Sequence, residues 1–109
     1  MQKLAFFVDA NSLSSVEVPS DYIDVRYLPT AAPKSFTKPV GARFCRLSAG
    51  LLFFYRVNAA AGIAVSDVSD GTGSISVPAT VQPMLNVDNV GTISVAAPSS
   101  CAVSAEWWS

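Results

Sequence analysis

Apolar and polar residues alternate in steps of two along much of this chain. Ile23, Val25 and Tyr27 share one face of an extended segment, with Asp24 and Arg26 on the other. Ile75 and Val77 alternate with Ser74 and Ser76, and Ile93 and Val95 with Thr92 and Ser94. Near the end, Cys101, Val103, Ala105 and Trp107 alternate with Ala102, Ser104 and Glu106. A period of two is the mark of a strand with one buried face. Helix is nearly excluded, because Gly and Pro interrupt the chain too often. The stretches between them are rich in Val, Ile, Thr and Ser rather than in strong helix formers.

The pattern predicts about eight strands: 3–8, 22–28, 42–47, 51–57, 62–66, 73–77, 83–87 with 91–96, and 101–107. The runs 42–47 and 51–57 are separated by Ser48, Ala49 and Gly50, a short Gly-containing connection that predicts a hairpin. The run 51–57, Leu-Leu-Phe-Phe-Tyr-Arg-Val, is apolar on both faces. It reads either as a central strand covered on both sides or as one whose outer face meets a partner. Turn signals flank these runs at Asp70-Gly-Thr-Gly73, Asp88-Asn-Val-Gly91 and Ala97-Pro-Ser-Ser100. Short strands at regular spacing predict an all-β fold: a single β-sandwich, jelly-roll-like, with essentially no helix. One domain spans 1–109. A Pro-rich basic loop at 29–41, with three prolines, is expected to be stiff and extended.

Composition narrows the class. The chain has 109 residues, 50% of them apolar and 14% charged, far below the roughly 25% of ordinary soluble domains. Mean hydropathy is +0.39. This is too apolar for disorder, and the run free of polar residues at 49–55 is far short of a membrane span. Lys3 followed by the apolar residues 4–8 mimics a signal peptide, but Asp9 ends the stretch too early. A first strand, in a protein made and kept in a cytosol, is the expectation. Cys45 and Cys101 sit in apolar strand-like runs and are expected to be reduced, buried thiols rather than a disulfide.

Charge is segregated along the sequence. Residues 26–56 hold six bases (Arg26, Lys34, Lys38, Arg43, Arg46 and Arg56) and no acid. From residue 57 onward there are four acids (Asp67, Asp70, Asp88 and Glu106) and no base. One reading is docking on an acidic surface, or on the acidic half of a neighbouring copy. The other is that charges fall wherever the loops of a sandwich fall. Nucleic acid is disfavoured by a net charge of −1 and a basic segment without interleaved aromatics.

Candidate chemistry is sparse. There is no His, so the usual general base and metal ligand are missing. Without His, the abundant serines have no base of the usual kind, and nothing pairs the two Glu residues with the turn-sited Asp residues for acid–base work. Asp67-Val-Ser-Asp70-Gly-Thr-Gly73 lacks the alternating acids and the closing Glu of a calcium loop and reads as a turn. No enzyme, cofactor or metal is expected. Trp107 and Trp108 must face opposite ways on a strand, with Trp107 inward. Trp108 then stacks on a sugar, anchors a protein contact, or lies under a loop or the N-terminal arm.

A resemblance adds to this reading. Gly41-Ala-Arg-Phe-Cys-Arg-Leu-Ser-Ala-Gly-Leu-Leu-Phe-Phe-Tyr-Arg-Val-Asn58 joins an Arg-bearing strand to an aromatic one. Gly71-Thr-Gly-Ser-Ile-Ser-Val-Pro78, Thr92-Ile-Ser-Val95 and Glu106-Trp-Trp108 follow in order. Over 41–108 the pattern resembles small virion structural proteins of tailed bacteriophages. The resemblance implies a β-sandwich or jelly-roll of the head decoration, or cement, type. Such proteins sit on the capsid as dimers or trimers and tie capsomers together. The class brings no catalytic or cofactor residues, and the 29–41 segment has no counterpart in it.

The expectation is thus a non-enzymatic virion protein, assembled in the host cytoplasm and binding the major capsid protein or other virion proteins. It forms a homo-oligomer and binds neither nucleic acid nor membrane. Lys34, Phe36, Lys38, Arg43 and Trp108 are the expected partner contacts. The alternatives are a tail or baseplate accessory protein and a carbohydrate-binding sandwich stacking sugars on Trp108 with Tyr22 or Tyr55.

Overall fold

A computed structural model describes residues 1–8 and 15–109. Among these residues there are ten strands and no helix: β1 (Phe6–Val8), β2 (Ser15–Glu17), β3 (Tyr22–Leu28), β4 (Lys34–Thr37), β5 (Phe44–Ala49), β6 (Phe53–Val57), β7 (Ile75–Val77), β8 (Met84–Asn86), β9 (Thr92–Ala96) and β10 (Cys101–Trp108). Eight of them form two four-stranded antiparallel sheets. The first has the order β3-β10-β5-β8 and the second β4-β9-β6-β7. β1 and β2 form a separate two-stranded ribbon.

Of the seven connections from β3 to β10, only β6–β7 stays within one sheet. Every other one carries the chain across the sandwich. This order, with first and last strands adjacent, is that of a jelly roll. It corrects the expected hairpin at 48–50, since β5 and β6 lie in opposite sheets. The reason is local as well as global. A three-residue hairpin needs a left-handed residue, and Gly50 does not adopt positive φ. Crossing over lets Cys45 and Leu47 face the opposite sheet, with Phe53 and Tyr55 buried in the same core.

That core holds Leu28, Phe36, Leu47, Phe53, Ile93, Val95, Val103 and Trp107, all fully buried. β10 supplies Cys101, Val103, Ala105 and Trp107 from its inward face, as its alternation predicts. Two other expectations are corrected. Residues 62–66 form no strand. Their neighbours instead lie over β9 and β7, where Ala61 N donates to Ser94 Oγ at 2.8 Å and Gly62 N to Ser74 Oγ at 3.0 Å. Serine hydroxyls satisfy this backbone in place of a strand partner.

The 29–41 segment is likewise no free loop. Its centre is β4, an edge strand paired with β9, and Phe36 enters the core opposite Ile93. Prolines at 33 and 39 flank the strand without occupying it, as an edge strand tolerates. Asn58 closes the end of β6 in the left-handed region (φ 58°), where its side-chain oxygen accepts from Gly91 N at 2.7 Å. An Asn tolerates that conformation better than most residues.

Candidate interaction surfaces

The expected contact residues scatter. Lys34 is exposed at the start of β4. Phe36 and Trp108 are fully buried, which corrects their assignment as contacts. Lys38 donates through Nζ to Val87 O at 3.0 Å and Asp88 O at 3.4 Å. Arg43, exposed, pairs with Asp88 at 3.4 Å. Lys38 and Arg43 therefore meet at the 87–88 turn, away from a shared docking face with the others.

Arg46 is paired more fully. Arg46 on β5 forms two hydrogen bonds to Glu106 on β10, at 3.2 and 3.0 Å, and pairs with Glu17 on β2. Its guanidinium stacks on the Trp108 ring at 5.2 Å. The Glu106 hydrogen bond is the first reason its charge is held more firmly than usual. Two of the six bases in 26–56, Arg43 and Arg46, thus pair with acids of the second half, Asp88 and Glu106.

Arg46 also explains Trp108. The indole points outward from β10, as alternation requires, but the β1–β2 ribbon roofs it. Trp108 Nε1 donates to Val18 O at 2.8 Å. The sugar-stacking alternative loses two of its surfaces, because Tyr55 is buried as well.

A row of exposed apolar side chains lies elsewhere, on β3. This edge strand keeps its alternation but reverses its polarity. Ile23, Val25 and Tyr27 face outward and are 55%, 52% and 58% exposed. Asp24 and Arg26 face inward. Asp24 Oδ2 accepts from the buried Trp107 Nε1 at 3.2 Å. Arg26 lies 5.0 Å from the Phe36 ring centroid and donates to Ser35 O on β4 at 3.0 Å. Each inward polar group thus has a partner, which a buried polar atom needs. The apolar side chains are left outside. Sequence reading placed these residues on one face without saying which face is inside.

Beside this ridge the outer face of β10 and β5 carries the small side chains of Ala102, Ser104 and Ser48. Ala102 lies opposite Tyr27, Ser104 opposite both Val25 and Ser48, and Glu106 opposite both Ile23 and Arg46. A groove opens at the other flank, between the edge strands β7 and β8. This groove of about 580 Å³ is lined by Tyr55, Arg56, Ile75, Met84 and Leu85 among others.

Little here is suited to chemistry. Cys45 and Cys101 are free thiols. Cys45 lies opposite Trp107, at the far end of β10 from Cys101, about 20 Å away by strand rise. Burial pushes the Cys45 thiol up to about 12, with Glu106 and Asp24 adding to the effect, so it is no nucleophile at neutral pH. Asp70 accepts from Thr72 N at 3.0 Å and from the Thr72 hydroxyl, the turn expected there. Those bonds hold its carboxyl below the usual range. Among the described residues no three His, Cys, Asp or Glu side chains gather as metal ligands would. Compared with known proteins, the chain matches no family model, no curated protein and no solved structure.

Proposed function

We propose that this chain is a non-enzymatic structural protein of a tailed-phage particle, binding the outer capsid surface and stabilising the head. It acts as a decoration, or cement, protein, assembled in the host cytoplasm. Its partners are the major capsid protein and its own copies, with no nucleic acid or membrane.

The observation that carries this reading is the reversed polarity of β3. An edge strand whose charges turn inward and whose Ile23, Val25 and Tyr27 turn to solvent is a surface built to be covered. Two further features support it. A jelly roll is a frequent scaffold of particle-forming proteins, although the fold alone does not assign a function. Arg43 and Arg46 are held in internal pairs with Asp88 and Glu106, which fits a rigid block in a lattice better than an electrostatically steered binder. Many copies held side by side turn modest individual contacts into durable attachment. With Phe36 in the core and Trp108 buried under the β1–β2 ribbon, Lys34 and Arg43 are the exposed bases among the expected contacts that remain to touch the capsid.

Immunogold labelling of particles from the genome that encodes the chain tests the proposal. Label over the heads, with heads that burst more readily when the gene is deleted, supports it. Label confined to tails moves the protein to the tail-accessory role, and particles without label overturn the virion reading.

A further inference from the structure

We infer that the open flank between β7 and β8 receives an extended peptide segment of another protein, added as a fifth strand along β7. The inference stands on this flank alone. Neither the phage reading nor the β3 ridge enters it.

The two flanks of the sandwich are finished differently. At the β3–β4 flank, Arg26 Nε donates to Ser35 O at 3.0 Å and its Nη1 to Val25 O at 3.1 Å. One guanidinium thus occupies a carbonyl on each of two edge strands and laces the sheets together. An inward charge of this kind guards an edge against further pairing. The β7–β8 flank has no such tie among the described residues. β7 pairs only with β6 and β8 only with β5, so each keeps one edge unpaired. Neither strand holds a charge or a proline, and no turn or side-chain hydrogen bond engages the backbone of 75–77 or 84–86.

The side chains here are those of an inner face without a cover. Ile75 lies opposite the buried Tyr55 and so faces the interior, yet it is 57% exposed. Val57, on the same side of β6, is also exposed. Leu85, opposite the buried Cys45, is only partly covered. Tyr55 itself is buried, and its hydroxyl has no hydrogen-bond partner among the described residues. That hydroxyl is not sealed in, because no buried polar side-chain atom lacks a partner. It therefore opens on the groove of about 580 Å³ that Tyr55 lines.

These features select the occupant. A small apolar molecule fills the groove but leaves both strand edges unpaired. A strand along β7 pairs its edge and lays alternate apolar side chains over Ile75 and Leu85. A chain in the groove also brings carbonyl and hydroxyl acceptors into the space that Tyr55 lines. Arg56 sets the charge, as the one charged residue along the groove and without an ion pair among the described residues. Alternation turns it outward on β6, with the small Ser74 and Ser76 between it and the free edge. The segment is therefore apolar on its inward positions and acidic on an outward one.

Panning a random heptapeptide display library against the full chain tests this, followed by calorimetry with the enriched peptide made synthetically. The enriched sequence should carry apolar residues at alternate positions with an acid between them. Its binding should slow hydrogen exchange at the amides of 75–77 by about tenfold. N-methylating every second peptide residue should abolish binding in one of the two registers, which a purely apolar fit would not show. Ile75→Lys, at an exposed position, should weaken binding about tenfold with an unchanged far-ultraviolet spectrum. Arg56→Gln should weaken it about threefold, and Val25→Glu should leave it unaltered. A library without enrichment, binding indifferent to N-methylation in both registers, or protection away from 75–77 overturns the inference. So does protection of 75–77 in the unliganded chain that fades on dilution, because a second copy then fills the edge.

Discussion

Asp24 and Trp107 illustrate how a polar residue comes to face a core. The indole N–H of a fully buried Trp has to find an acceptor, and Asp24 Oδ2 on the neighbouring strand supplies it at 3.2 Å. Asp24→Ala leaves that N–H unpaired and should cost about 1–3 kcal/mol, read as a lowered thermal midpoint. Cys45 makes a second prediction. Its thiol titrates at about 12 in the folded chain against 9.0 when free, so the unfolded chain ionises first. The stability this thiol contributes is whole below pH 9.0 and is lost as pH rises toward about 12. Denaturation midpoints should fall across that window and fall less in Cys45→Ala. Native protein at pH 8 should resist alkylation at Cys45 until denaturant is added. The burial of Cys45 and Trp107 was legible from alternation. The roof over Trp108 was not, because Val18 and Glu17 lie some ninety residues away in the sequence and no local pattern links them.

Arg46 does for an element what Asp24 does for a side chain. It joins β2, β5 and β10 through Glu17, Glu106 and the Trp108 ring, and so fastens the β1–β2 ribbon to the first sheet. Arg46→Met should cost about 2 kcal/mol, since hydrogen bonds to charged groups are the stronger ones. It should also expose Trp108 to acrylamide quenching of its fluorescence. β4 depends on one residue in a similar way. Phe36→Ala should cost about 3–5 kcal/mol in chemical denaturation, because the ring is fully buried beneath Arg26. β4 escaped sequence reading for a physical reason: four residues with one apolar side chain, between prolines, carry no measurable period. β3 had the right limits and the right alternation. Its inward side was decided by Trp107 and Phe36, which reach it from other strands.

At the scale of the molecule, the all-β sandwich was legible because period two and Gly/Pro punctuation recur along the whole chain. The crossings between sheets were not. A short Gly-containing connection can close a hairpin or span a sandwich, and only the facing cores of β5 and β6 decide between them. Charge segregation along the sequence was equally ambiguous. Folding brings Arg43 to Asp88 and Arg46 to Glu106, so part of each half is satisfied by the other, and the ridge left uncovered on β3 is apolar. If the proposed function holds, this surface, the outer face of β3, is covered in an assembled phage head. A cryo-electron microscopy reconstruction of the particle from the encoding genome tests it most directly. The expected result is jelly-roll density on the outside of the capsid with Ile23, Val25 and Tyr27 buried in a contact. Density whose β3 ridge faces solvent, or a head without such density, would contradict it.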